Sequence, residues 1–118
     1  METEKFLKTI GKAIEDKKGK DIVALKVGEV SPVADYLVIA SGDVPTHTRA
    51  IADEVIQKIK EETGRTPTVE GYQEGRWIAL DYGDTIVHIF LPELREYYEL
   101  ERLWQDAPQI DITSDKNE

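Results

Sequence analysis

Two histidines, a pair of aspartates three positions apart and a Ser-Gly step are the groups in this 118-residue chain that could carry chemistry. Ser41-Gly42 stands between an apolar run and a helical pattern, where phosphate-binding and nucleotidyl-transfer loops occur. Metal-assisted phosphoryl chemistry also needs carboxylates placed together to hold magnesium. No Asp-x-Asp or Asp-x-Glu pair lies on a strand, and Asp81 and Asp84 straddle a turn. The sequence has neither a Walker A stretch nor GxGxxG, so Ser41-Gly42 reads as an ordinary turn. His47 and His88 could form an acid/base pair or ligate a metal, but no HxxxH or HExxH spacing supports that. The plainer reading is a loop or capping role for His47 and a hydrogen-bonded sheet histidine at His88. Neither Ser31 nor Ser41 has a neighbouring histidine to make it a nucleophile. No cofactor is implied.

The elements that must position these groups follow from periodicity. Residues 3–18 place Phe6, Leu7, Ile10, Ala13 and Ile14 at helical spacing, with Thr3 as a capping residue and Gly19 as the stop. Asp21–Val27 and Ala34–Ser41 read as strands, the second apolar enough to be central. A helix then runs to about Thr63, with Ile51, Ala52, Val55, Ile56 and Ile59 facing the core and Gly64 just past its end. Thr66–Tyr72 is a weaker strand. Arg76–Tyr82 and Thr85–Leu91 form a hairpin around Gly83-Asp84, a loop that suits a type II′ turn. Pro92 opens a last helix to about Asp106, with Tyr97, Leu100 and Trp104 toward the core. The order predicts an α/β (α+β) fold: a mixed five-stranded sheet packed with helices. Residues 1–106 form one domain and 107–118 a polar tail.

The hairpin sorts its side chains by alternation. Ile78, Leu80 and Tyr82 face Ile89, Val87 and Thr85 on an apolar side. Trp77, Ala79 and Asp81 face Phe90, His88 and Ile86 on the other. That second side mixes aromatics with a carboxylate and an imidazole, and suits a recognition surface. Arg95 and Tyr98 fall off the apolar stripe of the last helix and add interface-type residues.

Composition limits the partners. Fifteen basic and twenty-four acidic residues leave a net charge of −9. Such a chain does not wrap nucleic acid by neutralising phosphates, and it matches an anionic membrane surface poorly. No apolar run approaches the roughly 20 residues of a membrane helix. The chain has no cysteine, hence no disulfide, thiolate catalysis or Cys-based metal site. Met1–Lys5 has no apolar signal-peptide core and no Arg-rich transit character. The expectation is a cytoplasmic protein without extensive direct nucleic-acid contact.

Several blocks together resemble one family. They are Ser31-Pro32 with Ala34–Gly42; His47, Ala50–Asp53 and Val55; Glu70-Gly71; Trp77–Asp84; Val87–Phe90 with Pro92-Glu93; and Tyr97–Glu101 with Leu103-Trp104. In this order, over about residues 21–106, they resemble the ribosomal silencing factor family, also called Iojap. The resemblance implies a nucleotidyltransferase-like fold without the catalytic carboxylates, and no enzymatic activity. It implies binding to the large ribosomal subunit through large-subunit ribosomal protein fourteen. That contact would block joining of the small subunit and lower translation when nutrients are scarce. It also implies a homodimer. The matched positions it marks as partner-facing are Trp77, Asp81, Tyr82, Asp84, His88, Arg95 and Tyr98. The rival reading is a divergent nucleotidyltransferase-like, nucleotide-binding enzyme.

Overall fold

The computed structural model describes residues 2–29, 34–94 and 107–113. Helix α1 spans Glu2–Asp16, strand β1 Lys20–Lys26 and β2 Tyr36–Ser41. Helix α2 spans Pro45–Thr63, and β3, β4 and β5 span Thr68–Glu70, Trp77–Asp81 and Thr85–Phe90. A short β6, Gln109–Ile110, follows. Thr3 therefore lies inside α1 rather than capping it. Pro92, Glu93 and Leu94 are helical, and the rest of the expected last helix lies outside the described residues.

The strands form one six-stranded sheet in the order β3-β4-β5-β2-β1-β6. Only β2 and β5 are parallel, and the other pairs are antiparallel. The sheet is mixed as expected, but it has six strands rather than five. The extra strand comes from the stretch read as a polar tail. Ile110 pairs with Ala24 and Gln109 with Leu25, while Ile112 is buried. Gly11 explains how this segment reaches α1: a Cβ there would collide with the Ile112 carbonyl. Glycine inside a helix costs about 1 kcal/mol relative to alanine, and here it permits that close approach.

Both long helices pack on one side of the sheet. Phe6, Leu7, Ile10 and Ile14 of α1 and Ile51, Val55 and Ile59 of α2 form one core with Val38, Ala40, Ile78, Leu80, Val87 and Ile89. α2 starts at Val44 with Pro45 in its first turn, and ends at Gly64, whose φ of 79° is the left-handed cap glycine accepts readily. A second cluster lies on the opposite side: Leu25, Val27, Leu37, Ile39, Phe90 and Ala107, with Leu94 packed against it. This side is apolar over β1, β2 and β5 and becomes open toward β4 and β3.

Candidate functional site

The hairpin register agrees with the alternation of the sequence. Ile78 pairs with Ile89, Leu80 with Val87, Ala79 with His88 and Trp77 with Phe90. Gly83 turns the chain at φ 92°. Trp77 and Ile78 consequently lie on opposite faces: Ile78 is fully buried, whereas Trp77 is 36% exposed. The open face thus carries Trp77, Ala79 and Asp81 beside Ile86 and His88.

An aromatic group anchors this face. The Trp77 ring lies 5.0 Å from Phe90 and 5.8 Å from His88, and His88 stacks on Phe90 at 5.8 Å. The Trp77 indole Nε1–H donates to His88 Nδ1 at 2.9 Å. An indole nitrogen can only donate, so His88 Nδ1 is unprotonated and Nε2 carries the proton. Burial pushes the His88 pKa down to about 4, against the opposing pull of Asp81. His88 is therefore neutral near pH 7 and serves as a structural acceptor in the sheet.

The two aspartates do not converge. Asp81 Oδ1 accepts the Gly83 N–H at 2.8 Å, closing the turn. Asp84 Oδ1 accepts from the Arg65 guanidinium at 3.1 Å. Arg65 also donates to the Tyr82 carbonyl and stacks 4.6 Å over the Phe6 ring. Both carboxylates remain exposed, and neither forms a metal-holding pair with the other. Among the described residues no group of three or more His, Asp or Glu side chains could hold a metal ion.

Tyr82 departs from the other positions. It is buried on the helix side, edge-to-face with Phe6 at 5.4 Å. Burial raises its pKa to about 12. Its hydroxyl has no hydrogen-bond partner among the described residues. Its side chain does not share the face of Trp77, as strand alternation dictates. Arg95 and Tyr98 lie outside the described residues.

His47 is wired into the fold. Its Nδ1 accepts the Asp43 N–H at 2.9 Å, and its Nε2 lies 2.7 Å from the Lys17 carbonyl. It joins the end of α1 to the start of α2, since His47 and Lys17 are 30 residues apart in the chain but adjacent here through that bond. Ser41 is buried, and Gly42 passes so close to Thr48 that a Cβ would meet its Cγ2 at 2.8 Å. This strand-to-helix loop is packed as an ordinary turn.

Two features of the site left little trace in sequence. The first extends the open face: Thr68 pairs with Asp81 and Glu70 with Ala79, so both share the side of Trp77. All three residues of β3 are exposed. Their alternation was too short to sort into faces. The second is the loop before Trp77, which is fastened to α2 three times. Tyr72 Oη donates to Asp53 at 2.9 Å, Arg49 donates to the Gln73 carbonyl at 2.9 Å, and buried Thr48 Oγ1 contacts the Gly75 carbonyl at 2.5 Å. The Asp53 bond raises the Tyr72 pKa. Gly71, at φ 79°, lets the Trp77 carbonyl approach where a Cβ would collide with it. A groove of about 280 Å³ lies beside Trp77, lined by Gly71, Glu74, Arg76 and Leu94. The arrangement is a partly exposed aromatic surface with acidic neighbours, beside a loop that three hydrogen bonds tie to α2.

Comparison with known proteins agrees with this architecture. A family model described as "Ribosomal silencing factor during starvation" matches residues 1–118. Ribosomal silencing factor RsfS of Bacillus subtilis (strain 168) is 38% identical over 118 residues, all of both chains. The mouse protein named mitochondrial assembly of ribosomal large subunit protein 1 is 32% identical over 94 residues, 77% of this chain and 41% of that one. A crystal structure of a Chromobacterium violaceum protein superposes with a TM-score of 0.85 at 36% identity, covering 89% of this chain and 88% of that one. The chain belongs to the RsfS family of ribosomal silencing factors.

Proposed function

We propose that the chain is a non-enzymatic factor that binds the large ribosomal subunit through large-subunit ribosomal protein fourteen. Bound there, it occupies the surface that meets the small subunit, blocks joining by its bulk and lowers translation under nutrient limitation. It acts in the cytoplasm and forms a homodimer when free. Family membership supports the ribosomal setting, and the mouse relative's name mentions the large subunit.

The observation that carries the reading is the open hairpin face. Trp77 is exposed though held by His88 and Phe90, and the exposed carboxylates Glu70 and Asp81 lie along the same face of β3 and β4. A preorganised Trp is the kind of side chain that anchors an interface. A net charge of −9 favours a basic protein patch over bare phosphate and steers association.

Sedimentation with purified large subunits tests the reading. The chain should pellet with large subunits at moderate salt, and bound subunits should form fewer joined particles with small subunits. Retention in the supernatant would sink it.

A further inference from the structure

Strand β3 ends the sheet. Among the described residues it pairs with β4 alone. Thr68, Val69 and Glu70 are all exposed, and Val69 is one of the few large apolar side chains left to solvent, at 38%. Outside the ladder to β4, no backbone hydrogen bond engages residues 66–70 among the described residues. Such an edge is a template for another strand.

We propose that β3 receives an extended segment of the basic ribosomal partner, which adds to the sheet as a seventh strand. The inference rests on the ribosomal reading above and specifies how that partner docks. Side chains of an added strand stand beside those of β3 on each face, about 5 Å away. On the open face they meet Thr68 and Glu70, with Asp81 directly behind Thr68 on β4. On the other face they meet Val69. The fitting segment therefore alternates basic, apolar, basic, with Lys or Arg beside the two open-face positions.

Charge selects this occupant over a second copy. A copy would add its own β3 and bring a second Glu70 onto the same edge, with a second Asp81 one strand further back, between chains of net charge −9 each. Arg65, the nearest cation before the strand, is already engaged by the Tyr82 carbonyl and Asp84. Pro67 lacks an N–H and Gly71 turns the chain, so the docking window is residues 68–70.

Hydrogen–deuterium exchange of the full chain with and without purified large subunits tests this. Those amides of residues 68–70 that point away from β4 should exchange at least ten-fold more slowly when subunits are bound. Glu70→Lys should keep the melting temperature of the free chain and lose about ten-fold in affinity for subunits. Slowed exchange at 77–81 with none at 68–70 overturns the edge proposal and leaves the ribosomal reading standing. Slowing at 68–70 that grows with chain concentration in the absence of subunits also overturns it, in favour of a second copy. Failure to sediment with subunits at all removes both readings.

Discussion

Trp77 and His88 are diagonal neighbours on the β4–β5 pair, joined by an indole N–H that donates to Nδ1 at 2.9 Å. One bond fixes two things at once: the rotamer of an exposed Trp and the tautomer of a half-buried His. A binding surface built this way spends little ordering entropy on association.

Trp77→Phe keeps a ring against Phe90 but removes the donor. Stability should fall by about 1 kcal/mol, the usual worth of a single net hydrogen bond. Subunit binding should weaken, and weaken further, by at least about ten-fold, in Trp77→Ala. Nitrogen NMR of His88 should show the Nε2–H tautomer in the parent chain and a mixture in Trp77→Phe. Equal binding by all three chains would show that Trp77 is not an anchor.

His88 gives a pH signature. Its folded pKa, about 4, lies below the ordinary 6.5. The folded state thus binds fewer protons than the unfolded one between those values. The stability linked to neutral His88 is complete above pH 6.5 and is lost as pH falls toward 4, by about 3 kcal/mol at most. Urea unfolding at pH 7.5 and pH 4.5 should show a smaller loss in His88→Gln than in the parent chain. An identical loss would contradict the assignment.

Gly71→Ala should damage the site from behind. The added methyl meets the Trp77 carbonyl at a residue with φ 79°, and both strain and clash contribute. Unfolding free energy should drop by about 2–4 kcal/mol. Gly83→Ala offers the contrast: it shares a positive φ but has nothing within 4 Å of the new Cβ, so only about 1 kcal/mol of backbone strain should appear. Thermal denaturation of the pair separates the two effects.

Thr48→Val removes a hydroxyl that is fully buried between the Pro45 and Gly75 carbonyls. Leaving buried acceptors unpaired should cost about 1–3 kcal/mol. The 71–76 loop should also open more often, read as faster amide exchange at Gly75, whose N–H bonds to the Gly71 carbonyl at 3.0 Å. Unchanged exchange would detach the loop from α2.

Tyr82→Phe should be neutral or raise stability by up to about 1 kcal/mol, because the hydroxyl it removes is buried with no partner among the described residues. Subunit binding should not change. A binding defect in a stable variant would return Tyr82 to the interface.

The hairpin was legible because two strands of ordinary length share a Gly-Asp turn and alternate cleanly. That was enough to put Trp77 and Asp81 on one face and Ile78 and Leu80 on the other. β6 was not legible: a two-residue strand has no period, and Pro108 before it reads as a breaker. The fastening of residues 72–75 to α2 was equally silent. Two of its three bonds end on backbone carbonyls, which every residue supplies, so no residue type marks them. His47 could be read as a loop or capping residue from its place, but the Lys17 carbonyl beside it belongs to a distant part of the chain. Tyr82 shows the reverse case, where alternation predicted the buried side and the family pattern alone suggested the partner.

β6 joins Gln109 and Ile110 to Leu25 and Ala24, so β1 waits for a partner made much later in the chain. Until residues 109–110 have emerged, a growing copy carries an unfinished strand edge at β1. Such non-local closure is slow compared with local turns. A newly started copy therefore cannot reach its finished shape while most of its sequence is still being translated, which sets a delay between making a silencer and having one.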